Sequence, residues 1–283
     1  MVRGSAAKSS AAAQNPDNAR TPHACVAMKI ASWNVNSLNV RMPHLEQWLR
    51  AFAPDIVGLQ ETKLEDHKFP DATLAALGYR SVFSGQKTYN GVAILSREAP
   101  RDVLVGVPGF EHEHKRAISA TIGDLRVVNL YVVNGQDVGT EKYELKLAWL
   151  AAVRNWLEQE ARQHPKLVVL GDFNIAPDER DVHDPAVWNE NHILTSAAER
   201  AALRGLLDVG LHDGYRLLHQ EGGVFSWWDY RMAAFRRNLG LRIDLTLVSE
   251  ALRGQVAAAG IDREPRTWER PSDHAPAWIE LAA

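Results

Sequence analysis

From residue 28 onward, the chain alternates between apolar runs of strand length and polar residues placed at their ends. Residues 29–35 read as a strand ending in the polar pair Asn34 and Asn36, and 56–59 as a second that runs into Gln60-Glu61-Thr62-Lys63. Between them Leu45, Trp48, Leu49 and Phe52 recur at helical spacing, with Pro43 near the start of that helix. Strands follow at 79–83, 91–95, 103–107, 117–122 and 126–133, with Gly123-Asp124 as a hairpin turn. A long amphipathic helix over 140–163 carries Leu145, Trp149, Ala152 and Trp156 on one stripe. The next stretch, Leu167-Val-Val-Leu-Gly-Asp-Phe-Asn174, opens with four apolar residues, enough for a strand buried on both faces and too few for a core helix. Residues 176–191 are polar and irregular. A helix over 199–209 turns Leu203, Leu206 and Leu207 inward and stops at Gly210, and 277–281 form a last strand.

The first 27 residues break this pattern, being rich in Ala, Ser and Asn without apolar periodicity. Such a segment cannot bury enough surface to offset the entropy of ordering, so a disordered leader is predicted. Arg3, Lys8 and Arg20 against Asp17 leave a transit peptide open, while the lack of an apolar h-region argues against a secretory signal. The 283 residues allow one large α/β domain or two ordinary ones, and 46% hydrophobic with 24% charged residues is a globular balance. A net charge of −3 excludes a polycation, so contact with nucleic acid must come from local patches. No apolar run has the length of a membrane span. The single cysteine, Cys25, excludes an internal disulfide and a cysteine-based zinc site, and it fits a reducing compartment such as the cytoplasm.

Polar groups gather where the strands stop. Gly171 ends its apolar run and delivers Asp172 and Asn174 to one side of the backbone, with Phe173 turned away. A carboxylate beside a carboxamide suits a hard cation or the orientation of a phosphate; read alone, it is more often an Asx turn. Asn34, Glu61, Asp244, Asp273 and His274 repeat the theme. In open α/β sheets ligands collect at the carboxyl ends of strands, so these groups are expected to converge. A set of carboxylates, amides and one histidine, without a thiol or serine nucleophile, suits metal-assisted hydrolysis of a phosphate ester. His274 is a candidate general base there, although a histidine beside an aspartate is by itself often structural. Between Phe225 and Asp244 stand four arginines against two aspartates, with two tryptophans and a tyrosine. That segment can hold a phosphate backbone and receive an unstacked sugar or base, or it is a hairpin whose aromatics are core.

Six motifs in order carry a resemblance: Ser32-Trp-Asn34, Leu59-Gln-Glu-Thr-Lys63, Asn129-Leu-Tyr131, Gly171-Asp-Phe-Asn174, Gly240-Leu-Arg-Ile-Asp244 and Ser272-Asp-His-Ala-Pro276. Together they resemble the exonuclease III family of abasic-site endonucleases, from Met28 to the C-terminus. The resemblance implies the DNase I-like fold, a four-layer α/β sandwich of two packed mixed β-sheets flanked by helices. It implies one continuous catalytic domain over 28–283, preceded by the 1–27 leader. It also implies Glu61 as the main metal carboxylate, with Asn34, Asp172, Asn174, Asp273 and His274 lining the same pocket. His274, oriented by Asp244, is similar to the group that polarises the attacking water or holds the scissile phosphate. Asp172 competes for the role of general base, or of the acid that protonates the leaving oxygen. Asn174 and Tyr131 would hydrogen-bond the developing oxyanions.

Trp227, Leu241 and Ile243 match the apolar pocket that takes a flipped-out abasic deoxyribose, a largely steric form of damage recognition. Arg231 and Met232 fall in a loop that enters the duplex in relatives, and Lys63, Tyr89 and Arg116 match backbone contacts. Two departures stand out: Asn36 where some relatives carry Asp, and Val-Val-Asn-Gly after Tyr131 in place of a proline-containing run. The expectation is a monomeric, Mg²⁺-dependent hydrolase, with Mn²⁺ as a possible substitute. It would cut double-stranded DNA 5′ to abasic sites and could add 3′→5′ exonuclease or 3′-end repair activity. The competing expectations are another phosphoesterase of the same fold, such as an inositol-phosphate phosphatase or a sphingomyelinase, and a catalytically inactive DNA-binding or regulatory protein. The Gln-Glu-Thr-Lys run and the complete polar set argue against them.

Overall fold

The computed structural model describes Met1 and residues 27–282, so the expected leader, apart from its two end residues, lies outside the described residues. The described chain builds β1 (Met28–Asn34), α1 (Leu38–Phe52), β2 (Ile56–Gln60), α2 (Asp71–Ala76), β3 (Arg80–Ser84) and β4 (Val92–Ser96). It continues through β5 (Arg101–Val105), β6 (Ala117–Ile122), β7 (Leu125–Tyr131), α3 (Glu141–Gln163), β8 (Leu167–Asp172), α4 (Ala197–Leu207) and β9 (Leu211–Asp213). It ends with α5 (Ala234–Arg237), β10 (Asp244–Ser249), α6 (Glu250–Arg253), β11 (Val256–Ile261) and β12 (Ala277–Leu281). The strands form two six-stranded sheets, ordered β11-β12-β1-β2-β4-β3 and β5-β6-β7-β8-β10-β9. Each is mixed: β1 runs parallel to β2 and β7 to β8, while the other neighbours are antiparallel.

The apolar runs are continuous because the central strands are covered on both faces. In β8, Val168 and Leu170 join Ile30, Ile56, Ile94, Val127 and Ile279 in a core between the sheets. Leu167 and Val169 turn the other way, against Trp149, Val153, Trp156 and Leu206 of α3 and α4. On the opposite side Leu45, Trp48 and Leu49 of α1 pack on Ala31, Trp33, Val57 and Leu95. The result is the expected four-layer sandwich. Gly58 marks how closely the sheets approach, since a Cβ there would lie 2.1 Å from Leu170 Cδ1.

Some boundaries differ for identifiable reasons. The helix α1 starts at Leu38, ahead of Pro43, because the Ser37 and Leu38 amides are anchored on the Glu61 and Thr62 carbonyls. α4 starts at Ala197, since Ser196 and Glu199 form a capping box and Glu199 is its third residue, not its first. The buried stripe of α3 is Tyr143, Lys146, Trp149, Leu150, Val153, Trp156 and Leu157, which leaves Leu145 and Ala152 half-buried at its margin. Among the described residues no helix is long and apolar enough to cross a membrane.

The strand faces that look into the inter-sheet core turn polar at one rim, with Asn34, Gln60, Asn129, Asp172 and Asp244 all buried there. The expectation that every polar group closes its strand needs correcting. Asp244 opens β10, and Asp273 and His274 precede β12. Because β10 is antiparallel to β8 and β12 to β1, those beginnings fall at the same rim where β1, β2, β7 and β8 end.

Candidate active site

Gly171 has φ 150°, and a Cβ there would sit 1.9 Å from the Leu130 carbonyl oxygen, so β7 and β8 can lie this close only with glycine. The next residue, Asp172, faces Tyr131 across β7 and Asp244 across β10. Its Oδ1 accepts the Asn174 amide at 2.9 Å. Its Oδ2 accepts Asn34 Nδ2 at 2.9 Å, and the same Nδ2 donates to Glu61 Oε1 at 2.9 Å. One amide group from the first sheet thus joins carboxylates from both sheets. His274 Nδ1 lies 2.8 Å from Asp244 Oδ2, and its Nε2 points at Asp172 Oδ2 from 3.7 Å. Ligand atoms of Glu61, Asp172 and His274 all lie within 4.8 Å of one another.

The loop around Glu61 is held in costly backbone conformations. Asn36, Glu61 and Lys63 have φ values of 43°, 52° and 53°, a left-handed region that costs non-glycine residues on the order of 1 kcal/mol each. The Lys63 ammonium stabilises this arrangement by bridging Glu61 Oε2 at 2.8 Å and Asn36 Oδ1 at 2.6 Å. Burial alone would raise the Glu61 carboxyl, but Lys63 and the Asn34 hydrogen bond outweigh it and leave it below the usual range. Burial would likewise depress His274; the carboxylates of Asp244 and Asp172 reverse that and push it up to about 10. Burial dominates at Asp172 and, with the Asp244 charge adding to it, raises the carboxyl to about 7 against the pull of His274. The Tyr131 phenol is held well above its ordinary value by burial and the neighbouring Glu61 charge, so it keeps its proton.

Not every expected residue reaches this point. Asn174 does not bond the carboxylates through its side chain: one Nδ2 hydrogen goes to the Val132 carbonyl at 3.1 Å, and Oδ1 accepts Asn134 Nδ2 at 3.0 Å. Asp273 has both oxygens engaged, by Asn36 Nδ2 at 2.8 Å and Trp227 Nε1 at 3.0 Å. Leu241 and Ile243 are closed in, packed with Val182, Leu194 and Ala176, while Trp188, Ile193 and Trp227 are the half-buried members of that apolar group. The arms of the arginine-aromatic segment pair through a single antiparallel bridge, Trp227 with Leu241, and only part of the segment is surface. Phe225 and Trp228 are core, while Tyr230 and Met232 are exposed and Arg231 pairs with Asp229 at 2.6 Å. Lys63 belongs to the carboxylate network. Tyr89 is exposed, and Arg116 lies over the Tyr131 ring, 4.4 Å from its centroid. Tyr89 and Arg116 line a cavity of about 560 Å³ that opens beside Glu61 and Tyr131 and includes Asn134 and Lys142.

Three features escaped sequence reasoning. Gln60 Nε2 crosses between the sheets to Asn129 Oδ1 at 2.6 Å, and Asn129 Nδ2 binds the Leu59 and Ala93 carbonyls directly beneath the site. The aromatic segment is stitched in by Ser226, whose Oγ accepts the amides of Ile243 and Asp244 at 3.0 Å each. Lys146 lies wholly buried behind Asn174. A polar residue inside an otherwise apolar stripe was the only local signal for any of them.

Two carboxylates from different sheets, bridged by one amide NH2 group and backed by a histidine, form a mostly hard-oxygen donor set that fits a divalent cation. Glu61 and Asp172 would hold it, with Asn34, whose oxygen is turned to the Asn36 amide, keeping the two carboxylates together and not ligating as expected. Such a centre at the shared rim of two stacked mixed sheets defines a metal-dependent phosphodiesterase of DNase I-like architecture. Residues 31–274 match the profile of the Endonuclease/Exonuclease/phosphatase family. The chain is 37% identical over 269 residues to exodeoxyribonuclease III of Haemophilus influenzae, covering 90% of this chain and all of that one. Among solved structures it is similar to the 3′ phosphatase NExo from Neisseria bound to product DNA hairpin, with 48% identity, a TM-score of 0.89 and coverage of 91% and 100%. It is also similar to an AP endonuclease from Archaeoglobus fulgidus, with 37% identity, a TM-score of 0.88 and coverage of 90% and 100%. The chain belongs to the endonuclease/exonuclease/phosphatase family, within its exonuclease III branch of DNA repair nucleases.

Proposed function

We propose that residues 28–283 form one catalytic domain, a cytoplasmic monomer that uses Mg²⁺, or Mn²⁺ in its place, to cut double-stranded DNA. The bond hydrolysed lies 5′ to an abasic site, and the products are a 3′-hydroxyl and a 5′-deoxyribose phosphate. The observation that carries this reading is the meeting of Asn34, Glu61, Asp172, Asp244 and His274 at one rim of both sheets. When bound, the metal supplies positive charge to the oxygens of the attacked phosphate. His274, between two carboxylates, stays protonated and is assigned to hold a phosphate oxygen, not to act as the base. Asp172 is the group assigned to exchange a proton with the attacking water or the leaving 3′-oxygen. Tyr131 keeps its phenolic proton and donates a hydrogen bond through it to the oxyanion. Asn174 Nδ2 has one hydrogen on the Val132 carbonyl and a second for a phosphate oxygen. Tyr89, Arg116 and the exposed Arg231 and Met232 would follow the DNA backbone on either side.

A second reading, 3′-end processing, is favoured by two observations. The apolar group at Leu241 and Ile243 has the bulky side chains of Trp188 and Ile193 packed against it. The Neisseria relative is a 3′ phosphatase. The discriminating test is a labelled duplex carrying one tetrahydrofuran abasic analogue, beside an intact duplex, a 3′-recessed duplex and a 3′-phosphate end, each with Mg²⁺ and with EDTA. Mg²⁺-dependent incision 5′ to the analogue supports the endonuclease. Removal of 3′-phosphate or laddering from the recessed end without incision moves the function to 3′ ends. Binding without cleavage of any substrate refutes both.

A further inference from the structure

We infer that Lys146 is a positioning residue for the phosphate-facing amides, a reading that rests on Asn174 contacting the scissile phosphate. Lys146 stands on α3, on the side of the second sheet away from the metal centre, and it is completely buried. An ammonium has three N–H donors, and each of these meets one acceptor: the Asn134 carbonyl at 3.0 Å, the Asn174 carbonyl at 2.7 Å, and Glu199 Oε1. The two carbonyls belong to the pair whose side chains bond each other, Asn134 Nδ2 to Asn174 Oδ1 at 3.0 Å. One ammonium therefore fixes both ends of that pair from behind.

The need for such a grip lies in the backbone. Asn174 has φ 49°, a left-handed conformation that turns its carbonyl inward to Lys146 while its amide reaches Asp172 Oδ1 at 2.9 Å. Without a partner for that carbonyl, the residue would relax toward ordinary φ values and swing its side chain off the Val132 carbonyl. The other end of the ion pair is also anchored. Glu199 accepts the Leu194 and Ser196 amides at 3.1 Å each, so the segment covering Leu241 and Ile243 is tied to the same ammonium. A buried ion pair is weak support for stability, since an apolar replacement of similar volume often does as well. What an apolar pair cannot do is bind two carbonyl groups.

The test removes the charges together, so that neither is left buried alone. Lys146→Met/Glu199→Gln nearly keeps the side-chain volumes, and the new amide oxygen can still accept one of the Leu194 and Ser196 amides, which now bind different oxygens of Glu199. Thermal unfolding and circular dichroism should find the variant folded at the assay temperature. In steady-state cleavage of a DNA substrate, kcat should fall at least about tenfold while KM stays within about threefold. Asn174→Ala should lower kcat too, and combining the changes should lose little more than the larger single effect, because both act through one amide. A kcat within about twofold of the parent in the folded variant overturns the proposal. Losses that multiply, or that match the unfolded fraction, overturn it equally. An Asn174→Ala protein with unchanged kcat would instead remove the reading on which it rests.

Discussion

Replacing Asp244 by asparagine tests the electrostatic design of the site with almost no change in shape. Asp244 is buried, and its Oδ2 is 2.8 Å from His274 Nδ1. A hydrogen bond to a charged group contributes about 1.5–3 kcal/mol, which corresponds to a loss of roughly 10- to 150-fold if the charged imidazole is needed in the transition state. The remaining burial then pulls His274 downward, so it loses its proton at lower pH and the alkaline limb of the kcat profile moves the same way. Stability carries a second, independent sign. His274 has its pKa raised from 6.5 to about 10 on folding, so its contribution is fully present below the unfolded value and lost as pH rises through the folded one. Parent and variant should therefore differ most at pH 6–7, by about 3 kcal/mol for a broken buried pair, and converge above about pH 10. Urea unfolding at both pH values and kcat across the range are the measurements. A kcat within twofold of the parent at neutral pH, or a stability gap equal at both pH values, would refute the assignment of His274 as a protonated phosphate ligand.

Glu61→Gln should raise the Mg²⁺ concentration needed for half-maximal activity by about tenfold or more, with DNA affinity nearly unchanged, since it removes a metal carboxylate and not a strand contact; a metal titration that overlays the parent would sink this. His274→Ala and Asp172→Asn should each lower kcat by about three orders of magnitude and leave DNA binding by fluorescence anisotropy within threefold, as groups acting in the transition state do. Gly171→Ala forces a Cβ to 1.9 Å from the Leu130 carbonyl, so it should destabilise the protein by more than about 3 kcal/mol or prevent soluble expression, and a Tm within a few degrees of the parent would contradict the close approach of β7 and β8. Trp188→Ala with Ile193→Ala empties the space over Leu241 and Ile243 and should raise abasic-site incision relative to 3′-end removal; an unchanged ratio would free that segment of any role in specificity.

The layers of this fold were legible because their cause is local. Strands buried on both faces read as unbroken apolar runs, as in Val168 to Leu170, and α1 and α4 announced themselves by leucine and tryptophan spacing. Placing polar groups at strand ends found Asn34, Glu61 and Asp172, because alternation alone fixes which way they point. It misjudged Asp244 and His274, which begin their segments, since strand direction is decided by partners far away in the sequence. Asn34 meets Asp172 across 138 residues, and Trp33 Nε1 meets the His274 carbonyl across 241. Contacts of that span follow from topology. Buried ions such as Lys146 and Arg242 were invisible for the same reason, each being defined by acceptors on other elements.

The place of β12 has a consequence for how the protein is made. The first sheet takes β1 to β4 from the start of the described chain, then waits for β11 and β12, and β12 lies directly against β1 in its interior. As the polypeptide leaves the ribosome, the sheet stays open along β1 until residues 277–281 appear. His274 travels just ahead of them, so the strand that closes the architecture also delivers the last member of the site. A nascent chain short of that point exposes an apolar strand edge, a target for chaperones, and lacks the imidazole. Closure of the sheet and competence to cut DNA are thereby supplied by the same short stretch of chain.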